Sequence, residues 1–241
     1  MEEKAHVQSS LKPALCFTAL LWIIKLLEIG FKADFGRYGT YPRTLYGSLG
    51  IITSPLIHGD FYHLLSNSLP ILFLGVGLFY FYKPVAWQVV CIIYTLSGFW
   101  VWLIAREAYH IGASGLVYGL MAYLLLSGFI RKDRSSIAVS LAILVLYGGS
   151  MFTGVLPGDP GISWESHLLG ATAGLFCAVL YRKSPIYTVK ERELEDESEN
   201  DTTKIQYEYN YVKDEKGKLT PKKYDYKIDL KKTNDRARFR L

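Results

Sequence analysis

Four residues of this chain put reactive side chains into apolar surroundings: His63, Asn67, Ser114 and His167. Gly112-Ala-Ser114-Gly115 sets a hydroxyl between glycines at a loop-to-helix junction, where glycine permits a tight turn and the first-turn amides are unpaired donors. A serine there lies beside a ready oxyanion site, although the same short run also suits close helix packing in a membrane. To be nucleophilic, serine needs a base within hydrogen-bond reach. Among the five histidines, His167 is the one expected on another helix at matching depth. Gly170 and Gly174 beside it form a small-xxx-small stripe that lets its helix approach Gly115 and Gly119. Tyr118, one turn below Ser114, can stack on the imidazole, hydrogen-bond it, or serve as an ordinary interfacial tyrosine. His63 and Asn67 lie four residues apart on one helix face and carry donors suited to an oxyanion; bonding helices together is the other role open to them. His58 falls off that face and reads as a loop-fixing residue.

These groups need elements to hold them. A spanning helix takes roughly 20 apolar residues to cross about 30 Å of hydrocarbon. Six segments meet or approach that length: Ala14–Phe31, Phe61–Tyr82, Val85–Ala105, Ser114–Ile130, Ile137–Phe152 and Trp164–Tyr181. The fourth and fifth are short. Lys25 and Glu28 inside the first lie three apart, so they can pair and lower the cost of burial. Basic residues of short loops stay cytoplasmic. Lys4, Lys12, Lys83, Arg131, Lys132, Arg134, Arg182 and Lys183 on one side outweigh Lys32, Arg37, Arg43 and Arg106 on the other, which predicts both termini inside. The second, fourth and sixth segments then run inward from the outer face, which brings their polar starts to one level.

Three regions organise the chain: residues 1–13 as a cytoplasmic N-terminus, 14–181 as the helical domain, and 182–241 as a charged cytoplasmic tail. The long first loop, Lys32 to Asp60, mixes glycine and proline with aromatic residues and predicts an interfacial segment holding short helices. Between the fifth and sixth segments, Thr153–Ser163 is rich in glycine and proline and can move. The tail carries an acidic patch, Glu191–Asp201, then two alternating stretches, Ile205–Tyr211 and Tyr224–Leu230, readable as disorder or as a weak hairpin turning over Asp214–Pro221. Arg236, Arg238 and Arg240 follow as a solvated charge run or a contact for anionic lipid.

The net charge of +5 is accounted for by topology and calls for no nucleic-acid partner. Cys16, Cys91 and Cys177 are isolated, show no metal spacing and read as buried small hydrophobes. His-Glu-x-x-His, the zinc-protease helix motif, is absent. Asp60 and Asp159 sit in loops, where two carboxylates cannot face each other inside a membrane. No inverted repeat of a transporter is visible.

The spacing His58…His63…Asn67, Gly112-Ala-Ser114-Gly115 and His167 with Gly170, preceded by Tyr41-Pro42-Arg43, Gly50 and Pro55-Leu-Ile-His58, resembles the rhomboid intramembrane proteases over roughly Gly36 to Tyr181. The resemblance implies an all-α, six-transmembrane-helix bundle needing no metal or cofactor. It implies a Ser114–His167 dyad without a third acidic member, and an oxyanion site from His63, Asn67 and the Ser114 amide. It also implies cleavage of single-span or multi-span membrane proteins within the lipid bilayer, with the fifth helix and the following loop as gate and cap. The rival expectation is an inactive rhomboid-like protein that binds transmembrane segments.

Overall fold

The computed structural model describes residues 2–159, 161–187, 203–213 and 219–230, the last two stretches as strands. The chain separates into two compact units, Met1–Thr188 and Val189–Leu241.

The first unit is helical. Helix α1 is Glu2–Gly30, so it starts well before the Ala14 predicted from hydropathy. Apolarity marks where lipid begins, whereas the helix continues because its polar end finds partners. Ser10 Oγ donates to Phe79 O at 3.1 Å and the His6 ring donates from Nε2 to Tyr80 O at 2.9 Å. The segment before residue 14 is therefore packed rather than a separate terminus. Short helices fill the first loop: 3-10 turns at Gly36–Tyr38, Tyr46–Leu49 and Ser54–Leu56, and a single α turn, α2, at Gly50–Thr53.

Helix α3 (Phe61–Phe81) is started by Asp60, whose carboxylate accepts from His63 N–H at 2.7 Å, the bond that satisfies a first-turn donor. Helices α4 (Ala86–Ile104), α5 (Ser114–Arg131), α6 (Arg134–Gly154) and α7 (Trp164–Leu180) follow. Lys132, at φ 60, closes α5 in the left-handed region. Asp133 then caps α6 through Ser136 N–H at 2.9 Å, so α6 is a 21-residue helix and not the short one expected from Ile137. Helix α5 is the core of the unit, its inner residues Leu116, Leu120, Met121, Tyr123 and Leu124 all nearly inaccessible.

Among the described residues four helices are long and apolar enough to cross a membrane: α1 over Lys4–Gly30, α3, α4 and α5. Helix α7, with 17 residues, spans about 25 Å at 1.5 Å per residue. That falls short of the roughly 30 Å core. Of the cysteines, Cys177 is buried as expected, while Cys16 and Cys91 are exposed on outward helix faces.

Residues 182–187, expected in the tail, belong to the helical unit. Arg131 donates to the carbonyls of Tyr181, Arg182 and Ser184, and Tyr187 N–H donates to Phe81 O at 2.8 Å. The second unit holds strands β1 (Thr203–Lys213) and β2 (Leu219–Leu230), antiparallel with Tyr207 opposite Tyr226 and an irregularity between Tyr209 and Tyr211. Pairing runs on to Lys213 opposite Leu219, inside the predicted turn. The acidic patch Glu191–Asp201 and Arg236, Arg238 and Arg240 lie outside the described residues.

Candidate active site

Ser114 opens α5 with Ala113 as its N-cap, and no side chain caps the helix. The first-turn amides around the hydroxyl are thus left to other partners. Ala113 N–H finds one in His58 Nε2 at 3.3 Å. A ring nitrogen that accepts carries no proton, so the His58 proton sits on Nδ1. His58 is buried, and that burial, with the nearby His63 and Lys25, pushes its pKa down to about 4. The ring consequently remains an acceptor at neutral pH and pins the turn carrying Ser114.

The backbone of His58 is itself clamped. Lys25 Nζ donates to His58 O and Gly59 O, each at 2.9 Å, and to Glu28 at 2.7 Å; the other Glu28 oxygen accepts from Phe35 N–H at 3.0 Å. A pair that the sequence offers as charge neutralisation therefore also fixes the approach to α3.

Gly112 is required twice over. Its φ is +104, which L side chains rarely adopt, and a Cβ there would lie 2.5 Å from His63 Nε2. Its N–H donates to Ser54 O at 2.9 Å. Asn67, almost fully buried, uses one amide hydrogen on His63 O at 2.8 Å.

On α7, His167 Nδ1 lies 2.8 Å from Gly154 O. A carbonyl only accepts, so Nδ1 bears the proton and Nε2 keeps its lone pair. Tyr118 stacks flat on the imidazole, ring centroids 4.1 Å apart and planes 5° from parallel. The α5–α7 crossing is backbone on backbone: a Cβ at Gly170 or Gly174 would fall inside the carbonyl oxygens of Gly115 and Gly119 respectively.

Ser114, His167, His63, Asn67 and Tyr118 all line one cavity of about 670 Å³, with Pro70, Met121 and Tyr147 among its other walls. His58, Gly115, Gly170 and Gly174 stand behind that wall. Among the described residues no hydrogen bond joins Ser114 to His167. Sequence reasoning missed the Gly154 carbonyl and the cavity residues Arg106, His110 and Ser163. A backbone acceptor leaves no residue-type signal, and His110 stands in a loop without helical periodicity.

A family model described as Rhomboid domain matches residues 46–184. The chain belongs to the rhomboid family. Every residue singled out above for chemistry falls inside that match. An uncharacterized protein of Mycobacterium tuberculosis is 36% identical over 179 residues, covering 69% of this chain and 72% of that protein. One from Mycobacterium leprae is 32% identical over 181 residues, covering 69% of each. RHOMBOID-like protein 4 of Arabidopsis thaliana is 26% identical over 137 residues, covering 54% of this chain and 33% of that protein. This rhomboid is thus a multi-pass integral membrane protein, and its family is one of intramembrane serine proteases.

Proposed function

We propose that this rhomboid is an intramembrane serine endopeptidase that cleaves transmembrane segments of single-span or multi-span membrane proteins. Ser114 is the nucleophile and His167 the general base. The observation that carries this reading is the His167 Nδ1–Gly154 O bond at 2.8 Å, which leaves Nε2 basic in the cavity that Ser114 lines. A fixed carbonyl thereby performs the orienting task that a carboxylate performs in a triad.

Ser114 Oγ attacks the scissile carbonyl as its proton passes to His167 Nε2. The tetrahedral oxyanion is held by the Ser114 amide, His63 and Asn67. The imidazolium then protonates the leaving amine, and water hydrolyses the acyl-enzyme by the reverse sequence. Tyr118 keeps the ring plane fixed throughout. Six of the long helices span the bilayer in this reading, α7 from a sunken start, with both termini cytoplasmic and with α6 and the loop after it as gate and cap.

The test is incubation of the purified protein in detergent with a labelled single-span substrate. Ser114→Ala and His167→Ala are expected to lose at least about 10³-fold in cleavage, and Asn67→Ala about 10²-fold. Equal fragments from wild type and Ser114→Ala would sink the dyad. The unbonded Ser114–His167 pair is the one observation that favours an inactive, segment-binding rhomboid, whose mark would be substrate crosslinking without fragments and no fluorophosphonate labelling of Ser114.

A further inference from the structure

His110 precedes Ser114 by four residues, Ser163 precedes His167 by four, and the two side chains touch. His110 Nδ1 lies 2.6 Å from Ser163 Oγ, and Nε2 lies 3.0 Å from Arg106 O. The carbonyl can only accept, so Nε2 carries the proton and Nδ1 must accept from the Ser163 hydroxyl. Ser163 in turn is the N-cap of α7 and accepts from Ser166 N–H at 3.4 Å, with the two hydroxyls 2.7 Å apart. With its own proton committed to His110, Ser163 also accepts from the Ser166 hydroxyl. The Ser166 carbonyl lies against Gly115, 3.2 Å from where a Cβ would stand. On its other side His110 is fastened to the first loop by two backbone bonds with Thr40, both 2.9 Å.

A single directed chain of hydrogen bonds therefore runs from the loop feeding Ser114 to the first turn of the helix bearing His167, where Ser166 packs against the crossing at Gly115. We propose that His110 is a positioning residue of this site, whose neutral imidazole holds the start of α7 in register with α5 and whose protonation releases it. A protonated Nδ1 would donate to Ser163, whose own proton must then turn toward Ser166 Oγ; the chain reverses, and the Ser166 hydroxyl in the first turn of α7 loses its acceptor. Acid on the outer side would slow the reaction by misplacing His167, in addition to protonating it.

The charged neighbours of the ring act in both directions. Burial chiefly holds its pKa below the usual histidine value; the Arg106 carbonyl and Glu165 of α7 oppose this, and the Arg106 charge adds to it. Arg106 and Glu165 lie 3.6 Å apart. The same cavity is lined by Asp60, His63, Tyr109, Tyr147, Asp159 and His167.

This inference rests on the Ser114–His167 reading, so its test carries two readouts: the rate of fluorophosphonate labelling of Ser114, and hydrogen exchange of the first turn of α7, each followed against pH in the full chain. Wild type should lose labelling on the acid side with a log-rate slope of about two, one proton for each histidine, and α7 exchange should quicken over the same range. His110→Gln, which keeps a donor for Arg106 O and an acceptor for Ser163 but does not titrate, should label a few-fold more slowly (~3-fold) with a slope of about one and exchange independent of pH. Ser163→Ala should label about 10-fold more slowly and Ser163→Thr should recover most of that, as expected of a capping hydroxyl. Wild-type pH profiles in His110→Gln for both readouts would overturn the proposal. If wild type takes no label, the dyad fails on its own, and α7 exchange still decides: acid dependence that persists in His110→Gln overturns the positioning role, and its loss upholds the link.

Discussion

The glycines of this protein divide between two kinds of surroundings. At Gly170 and Gly174 an added Cβ would run into backbone carbonyls of α5, and at Gly119 into Ile93. At Gly149 of α6 it would meet nothing within 4 Å, and at Gly148 only the Leu144 side chain at 3.3 Å. The same contrast runs through the apolar residues: α5 is enclosed on most sides, while Val145 and Leu146 of α6 are 83% and 66% exposed. Helix α6 is held at its beginning, where Tyr82 donates to Ser136 at 3.0 Å and Ser140 Oγ reaches carbonyls of α5. Its middle is more open, and its last residue, Gly154, is held again where its carbonyl accepts from His167 at 2.8 Å. The site is thus built from one crossing of backbone on backbone and one wall fastened at both ends, to α5 at its start and to His167 at Gly154, with an open apolar stretch between.

The contrast is broken most severely at the crossing. Gly170→Ala or Gly174→Ala should cost about 3 kcal/mol or more by overpacking a backbone contact, read as a large drop in the melting temperature of the detergent-solubilised protein; an unchanged melt would mean that the crossing relaxes. Next, Lys25→Met should cost about 3 kcal/mol, because it strands Glu28 and two carbonyls without their donor, and it should slow cleavage by disturbing the approach to α3. If melting were unaffected, the clamp would not be holding the first loop.

His58 gives a pH-dependent case. Its folded pKa of about 4 lies below the ordinary value of about 6.5, so the unfolded chain takes up the proton first. The stability it supports is whole above pH 6.5 and drains away as pH falls through 4, about 3 kcal/mol in all. Unfolding in denaturant between pH 7 and 4 should show that acid limb, and His58→Gln should flatten it. The mildest change is Gly149→Ala, expected to stabilise α6 by about 0.5–1 kcal/mol through helix propensity alone. Destabilisation there would show that α6 is packed as tightly as α5.

Much of the arrangement was legible because a polar side chain in an apolar helix is conspicuous. Ser114, His63, Asn67 and His167 stand out for that reason, and the Gly170/Gly174 stripe points directly to the face that meets α5. Contacts made by backbone atoms were hidden: Gly154 O on His167, the His58 ring on Ala113 N–H, and the Phe79 and Tyr80 carbonyls that draw out α1. Hydropathy reports the lipid boundary and not the helix boundary, which is why residues 1–13 read as an N-terminus preceding the helical domain. Asp133 with Ser136 is a capping pattern present in the sequence, yet the charge cluster around it reads first as a loop. His110 was invisible for another reason, since its importance lies in which atom accepts.

Near the C-terminal end of α3 the two ends of the helical unit meet. The His6 ring stacks on Tyr187 at 3.8 Å, and Tyr187 N–H holds Phe81 O. Chain ends this close can be joined by a short linker, so the helical unit is topologically a ring cut at one point. A circular permutant closed between residues 6 and 187 and opened between α3 and α4 would keep every helix contact described here while exchanging which helix is synthesised first. The same adjacency makes the pair a natural place for two fluorescent labels, whose separation would report whether α1 stays docked on the end of the unit.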